Sequence, residues 1–377
     1  MVRDIPLLKI YWDERDTTEV SNAIRTGMSW AVGPCVPKFE TELAKYIGTE
    51  YALAFNSGTS ALHAILAAYG IGKGDEVIVP SFTFIATANA PVFVGATPVF
   101  ADIEEKTYGL DPKDVRAKIT SKTKAIIPIH YAGCPCLIEE LRDIAKERGL
   151  LLIEDAAEAF GAEVRGKKAG SFGDASILSF CQNKIITTGE GGAVVTDSRD
   201  IYEKLKLLRS HGRLDTADYF TSMEYMDYVT LGYNFRMSNL TAALGLAQME
   251  KADKIIRMRR KNAQHMNQKL SEVNGVVIWD VPDGFHHVYQ LYTVRVPAGQ
   301  DARDRLMKHL SSKGVMSKVY FYPAHLTQFY RRQFGHREGE LPVTERLSSE
   351  VITLPMYPAL SKAEMNYVVD QIQGFFS

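Results

Sequence analysis

The chain reads as an α/β protein, with a large domain around a mostly parallel central sheet and a smaller C-terminal α+β domain. Three observations predict this. From about residue 49 to residue 200, short β-branched and apolar runs alternate with helix-period patterns. Several of those runs, "LLI" and "AIIPI" among them, are apolar throughout, as strands covered on both faces must be. At 377 residues the chain is also too long for one small core and suits a large domain with a companion.

"YALAF" (51–55) predicts the first strand and "NSGTSALHAILAAYG" the helix after it, with Ala61, Leu62, Ile65, Leu66 and Tyr69 on one face. There follow a strand "EVIVP", a helix through "IATANAPVFVG", a strand "TPVFAD", a helix after Pro112, a strand "KAIIPIH", a helix "IEELRDIAKERG", and strands "LLIED" and "DASILSF". After residue 238 the pattern becomes one long helical stretch, "NLTAALGLAQMEKADKIIRMRRKNAQHMNQKLSEV". Beyond it, a strand "QLYTVRV", a helix "DRLMKHLSSKG" and a closing amphipathic helix "KAEMNYVVDQIQGFF" predict the second unit. The domain boundary is expected inside the long helix, giving domains 1–255 (with an N-terminal arm) and 256–377.

Apolar residues make up 46% and charged residues 24%, an ordinary globular composition, and the net charge of -1 lacks the basic excess of a protein that neutralises many phosphates. Nucleic acid is therefore not an expected partner, and the basic run Arg257 to Lys261 reads as a solvated helix face. Charges interrupt "MVRDIPLLKIYWDERD" too early for a signal peptide or membrane span, so a cytoplasmic protein is expected. Cys35, Cys134, Cys136 and Cys181 are too few for a disulfide framework, and "CPC" has the wrong spacing for a zinc pair. The histidines show no metal spacing, so no metal is expected, and His63 reads as a packed residue. "GAEVRGKKA" comes close to a phosphate loop, but Lys168 stands where Ser or Thr must be, and the segment reads as a hairpin turn. "GIGKGDE" leaves a helix and enters a strand, the reverse of a dinucleotide fingerprint.

Three segments are harder to explain as scaffold. "NSGTS" (56–60) puts backbone N–H groups and small hydroxyls at a helix N-terminus, where either an anion or an ordinary N-cap would account for it. "LLIEDAAEAFG" ends a buried strand in two acids; Asp155 is placed to face a ligand at the carboxyl end of the sheet, and a buried carboxylate implies a cationic partner. "SFCQNKIITTGEGG" carries Lys184 four residues after a strand, where a partly desolvated amine is a nucleophile toward an aldehyde, although a lone loop lysine is as a rule merely solvated. Together an amine, a lone acid and an anion site fit pyridoxal phosphate.

These residues, with "AVGPCVPKFETELAKYIGTEYALAFNSGTSALHAIL", "GDEVIVPSFTFIATANA", "GSFGDASILSF", "LGYNFRMSNLTAALGLAQ" and "LPVTERLSSEVITLPMYP", resemble the DegT/StrS family of sugar-nucleotide aminotransferases over nearly the whole chain. The resemblance implies a fold type I architecture and pyridoxal phosphate, with pyridoxamine phosphate as its aminated form. It implies Lys184 as the Schiff-base and proton-shuttling lysine, Asp155 as partner of the ring nitrogen, Phe84 as the stacking aromatic, and Gly58, Thr59, Ser60 and Ser179 as the phosphate cradle. Asn234 matches a residue reaching the phosphate from the partner subunit, which implies a homodimer with shared sites. Glu158 matches a position, often Gln, that bonds the ring hydroxyl; an ionised Glu cannot donate that bond. Arg236, Tyr320 and His325 are the expected substrate neighbours. The family implies L-glutamate as donor and a nucleotide-linked ketosugar as acceptor, aminated at C3 or C4. Rivals are an aminocyclitol aminotransferase, a 3-dehydratase, which carries histidine in place of Lys184, and a non-catalytic regulatory homologue. Cys134, Phe160, Cys181 and Gln182 depart from the family pattern and are expected in the sugar pocket.

Overall fold

The computed structural model describes residues 4–214 and 222–377. Its central sheet has seven strands in the spatial order 51–55, 192–196, 175–179, 151–155, 123–126, 76–80, 97–101. Strand Gly192–Thr196 runs antiparallel to both neighbours, while the pairs from 175–179 outward to 97–101 are parallel. Along these strands the side-chain period of two sends Leu53, Phe55, Val77, Val79, Ile153, Ile177 and Val194 into one apolar layer. Ala52, Ala54, Leu178, Ala193 and Val195 enter a second layer, and Ile78, Ile126 and Leu152 a third cluster on that same side. Both faces are covered, which is why the strands read as unbroken apolar runs.

The antiparallel strand decides where chemistry can collect. Because 192–196 runs backward, its first residue, Gly192, pairs with the last residues of two neighbours, Phe55 and Ser179. The loop 180–191, the end of strand 151–155 and the N-terminus of helix Gly58–Ala68 therefore meet at the carboxyl edge of the sheet.

A second, three-stranded antiparallel sheet (277–278, 292–295, 351–354) has its own core, in which Val294 and Ile352 pack against Met266, Leu306 and Val368 from helices Ala252–Leu270, Gln300–Ser312 and Lys362–Phe376. Ile5 from the N-terminal arm joins this core and bridges to Val315.

The single long helix expected after residue 238 is corrected to two, Asn239–Met249 and Ala252–Leu270. Lys251, at the break, is drawn inward to Asp13 (2.5 Å) and Asp16 (2.7 Å), and Gln248 Nε2 donates to Asp16 at 2.9 Å. Burying a lysine demands paired acids; that tertiary contact overrides the local helical pattern. The "GAEVRGKKA" segment is a hairpin, with Arg165 (φ 49°) and Gly166 (φ 82°) between strands Glu163–Val164 and Lys167–Lys168. His63 is packed against Phe93, Tyr233 and Phe235.

Candidate active site

Lys184 lies in a tightly pinned turn. Its own N–H donates to Cys181 O (2.9 Å), Thr188 N–H and Thr187 Oγ1 both donate to Phe180 O, and Gln290 Nε2 donates to Asn183 O from the second unit. The lysine side chain is 13% exposed, and its Nζ lies 3.5 Å from Glu158 Oε1. Glu158 is anchored in turn, its Oε2 accepting Ala132 N–H at 2.9 Å. So held, the carboxylate fixes where the amine points.

Asp155 ends its strand buried. Oδ2 accepts from Thr87 Oγ1 at 2.7 Å, Oδ1 accepts from Ala157 N–H at 3.1 Å, and Thr87 Oγ1 is 2.7 Å from Thr83 Oγ1. No cation stands at ion-pair distance among the described residues. Burial pushes its carboxyl above the usual range, while Thr87, the Ala157 N–H and the more distant charge of Lys184 pull it back. Such a group has room for a cationic partner.

The cradle is built from helix Gly58–Ala68. Ser57 is its N-cap and accepts from Ser60 N–H at 3.1 Å. The N–H groups of Gly58 and Thr59 have no acceptor among the described residues, so two donors point outward at the positive end of the helix. Two glycines let the backbones close around this point. A Cβ on Gly192 would lie 2.4 Å from Ser57 C and 2.5 Å from Gly58 N, and one on Gly58 would lie 3.2 Å from Ser179 Cβ. Ser179 is thus beside the helix start, its Oγ 3.5 Å from where a Cβ on Gly58 would stand.

Among the remaining expected residues, Phe84 caps helix Ile85–Phe93 and is 61% exposed, leaving a ring face available. The segment carrying Asn234 and Arg236 lies against the cradle: Asn56 N–H donates to Phe235 O, Asn56 Nδ2 donates to Asn234 O, and Arg236 bridges to Phe55. Asn234 is exposed, and Arg236 donates to Ser210 Oγ at 3.3 Å. Tyr320 is half-buried, burial raises its phenol, and it shares a small hollow with Asn183, the residue before Lys184.

Three expectations are corrected. His325 is fully buried, its Nδ1 2.6 Å from Ser81 Oγ and its Nε2 3.2 Å from Glu345 Oε1, so it supports the turn before Phe84 and presents no face to a substrate. Phe160 is stacked on Tyr46 (4.8 Å) in the core, and Cys134 is fully buried, so neither lines an open sugar pocket. Cys181 and Gln182 remain at the surface of the Lys184 turn.

Sequence reasoning missed Thr87 and Glu154. Glu154 points to the opposite face of the strand from Asp155. It accepts from Gly170, Phe172 and Gly173 N–H groups (2.8, 2.6 and 2.8 Å) and lies 2.9 Å from His130 Nε2. Since Cys136 N–H donates to His130 Nδ1 (3.1 Å), the proton of the neutral ring sits on Nε2 and donates to Glu154. The alternation of a strand was the available signal that adjacent acids serve opposite faces.

The donor set fits pyridoxal phosphate: free N–H groups at a helix start for a phosphate, a buried carboxylate lacking a cation for a protonated pyridine nitrogen, and a partly desolvated amine for the aldehyde.

The profile of the DegT/DnrJ/EryC1/StrS aminotransferase family matches residues 11–373. A GDP-perosamine synthase of Caulobacter vibrioides is 38% identical over 371 residues, spanning 97% of each chain. Among solved structures, Helicobacter pylori PseC, an aminotransferase involved in the biosynthesis of pseudoaminic acid, superposes with a TM-score of 0.93 at 28% identity, covering 99% of both chains. A DegT DnrJ EryC1 StrS aminotransferase from Brucella abortus superposes with a TM-score of 0.88 at 32% identity, covering 97% of this chain and 96% of the other. With the cofactor chemistry accounted for at the carboxyl edge of its sheet, the chain belongs to the DegT/DnrJ/EryC1/StrS aminotransferase family and is a pyridoxal-phosphate-dependent aminotransferase.

Proposed function

We propose that the chain transfers an amino group from L-glutamate to a nucleotide-linked keto-deoxysugar, at C4 or C3, in a ping-pong cycle that serves cell-surface polysaccharide or glycan synthesis. The observation that carries this reading is the meeting of Lys184, Asp155 and the cradle at one sheet edge; the likeness to a perosamine synthase supports the sugar acceptor.

Bound there, pyridoxal phosphate supplies an electrophilic carbon for amines and an electron-withdrawing ring. Gly58 and Thr59 through their N–H groups, with the Ser179 hydroxyl, would hold its phosphate, while Ser60, whose N–H donates to Ser57 Oγ and whose hydroxyl donates to Asn56 Oδ1, braces the helix start beneath it. Asp155 keeps a proton at the ring nitrogen, and Thr87 fixes the carboxylate that does so. Lys184 anchors the cofactor and, when free, holds the proton that moves to and from the reacting carbon. Glu158 steadies the lysine amine from 3.5 Å and would be the residue beside the ring hydroxyl. Phe84 covers one ring face, and Arg236 and Tyr320 border the sugar. His325 holds the loop that carries Phe84, through Ser81.

A homodimer completes the site in this reading, with Asn234 offered to the partner's phosphate. Met28, Trp30 and Leu231 are 86%, 51% and 76% exposed, apolar surface that a second copy would cover; light scattering that returned only a monomer would remove this part. The free cysteines favour the cytoplasm. The division into domains 1–255 and 256–377 is part of the same proposal.

Loaded protein should lose its visible absorption on adding L-glutamate and regain it with the correct ketosugar from a panel that includes a scyllo-inosose-type ketone. Lys184→Ala should lower turnover by about 10³-fold or more; full turnover in that variant would falsify the proposal.

A further inference from the structure

The basic run at 257–261 does not remain a plain solvated face. Arg259 turns inward, donating through NH1 to Tyr289 O, Gln290 O and Met356 O, and burial pulls its guanidinium down to about 10. The neighbours on the other side of the helix form one wall of a cleft of about 790 Å³, closed opposite by the 163–168 hairpin and the strand Phe285–His286. That volume is typical of small-molecule pockets. None of the residues assigned to the cofactor lines it.

The charges in this cleft do not cancel. Lys168, Arg257, Arg260 and Lys261 oppose only Glu163 and Asp253, four cations against two acids. Both acids are already engaged, Glu163 by Lys168 Nζ at 3.0 Å and Asp253 by Tyr46 OH at 2.7 Å. Arg260 spends one nitrogen on His287 O (2.7 Å). Arg257 and Lys261 make no ion pair or hydrogen bond among the described residues. They stand four apart on one helix, a spacing at which like charges repel. Arg257 and Lys261, exposed and unpaired along this hollow, with Arg260 between them in sequence, match a compact anion. A polynucleotide would need a longer basic track than this chain of net charge -1 offers.

We propose that this cleft is a second anion site, separate from the cofactor crevice, that takes the diphosphate group of a small molecule between Arg257, Arg260 and Lys261. Two close phosphates can accept from the forked guanidinium donors and the lysine ammonium at once.

The test titrates inorganic pyrophosphate into the pyridoxal-phosphate-loaded full chain by calorimetry, at low and at high salt. The wild type should show saturable binding that weakens with salt. The double variant Arg257→Ala/Lys261→Ala should bind at least tenfold more weakly, while Lys269→Ala, on the same helix outside the cleft, binds as the wild type does. Unchanged visible absorption in both variants reports an intact fold and cofactor site. No saturable binding to the wild type, or equal binding by the double variant, overturns the site.

Discussion

Glu154 and Asp155 are neighbours in sequence, both buried at the end of one strand, and the structure treats them in opposite ways. On one face, burial opposes the charge of Glu154, yet a histidine N–H and backbone N–H groups of the 170–173 loop surround it and hold its carboxyl below the usual range. On the other face, Asp155 has one threonine hydroxyl and one backbone N–H, and burial holds its carboxyl above that range. A saturated carboxylate is a structural fastener. An undersupplied one is a receptor for a cation that arrives later, and the difference lies in the donors rather than in the acids.

The largest effect expected from breaking this contrast is on stability. Glu154→Ala strands four donors in the interior and should cost about 3–5 kcal/mol in denaturant unfolding. A loss below about 1 kcal/mol would show that the loop finds other acceptors.

Asp155→Asn should leave the fold intact and lower turnover by about 10²-fold or more. Its pH signature separates the two acids. The lowered Glu154 contributes stability above the unfolded carboxylate pKa, about 4.3, and that contribution is lost as pH falls through its folded value. The raised Asp155 does the reverse in cofactor-free protein: its contribution is complete below about 3.9 and is lost as pH rises through its folded value. Melting profiles should therefore show cofactor-free Asp155→Asn gaining on the wild type as pH rises. A difference that stayed flat with pH would break the comparison.

The smallest effect sharpens the role of the supporting donor. Thr87→Val removes the 2.7 Å bond to Asp155, worth about 1.5–3 kcal/mol to the ionised form, so cofactor affinity should weaken about tenfold to hundredfold. Thr87→Ser should restore it in an equilibrium titration followed by visible absorption; failure of the serine to rescue would assign the loss to packing.

Much of this site was legible in the chain because its parts sit at element boundaries. Asp155 ends an apolar strand, Ser57 to Ser60 open a helix, and Lys184 follows a strand by five residues. What misled was adjacency to a motif. His325 and Phe160 stand beside site residues in sequence, yet both are core residues, because a neighbour along a turn points wherever packing sends it. Thr87 was not legible: its partner is 68 residues away.

The sequence by itself determined the class of sheet, the family and the amine, acid and anion site, since hydrophobic period and local motif are properties of short segments. Only the tertiary structure decided which acid is fastened and which is left open, that Lys251 breaks the long helix, and that the basic run borders a cleft. Those outcomes depend on donors and counter-charges brought together from distant parts of the chain, and no short segment contains them.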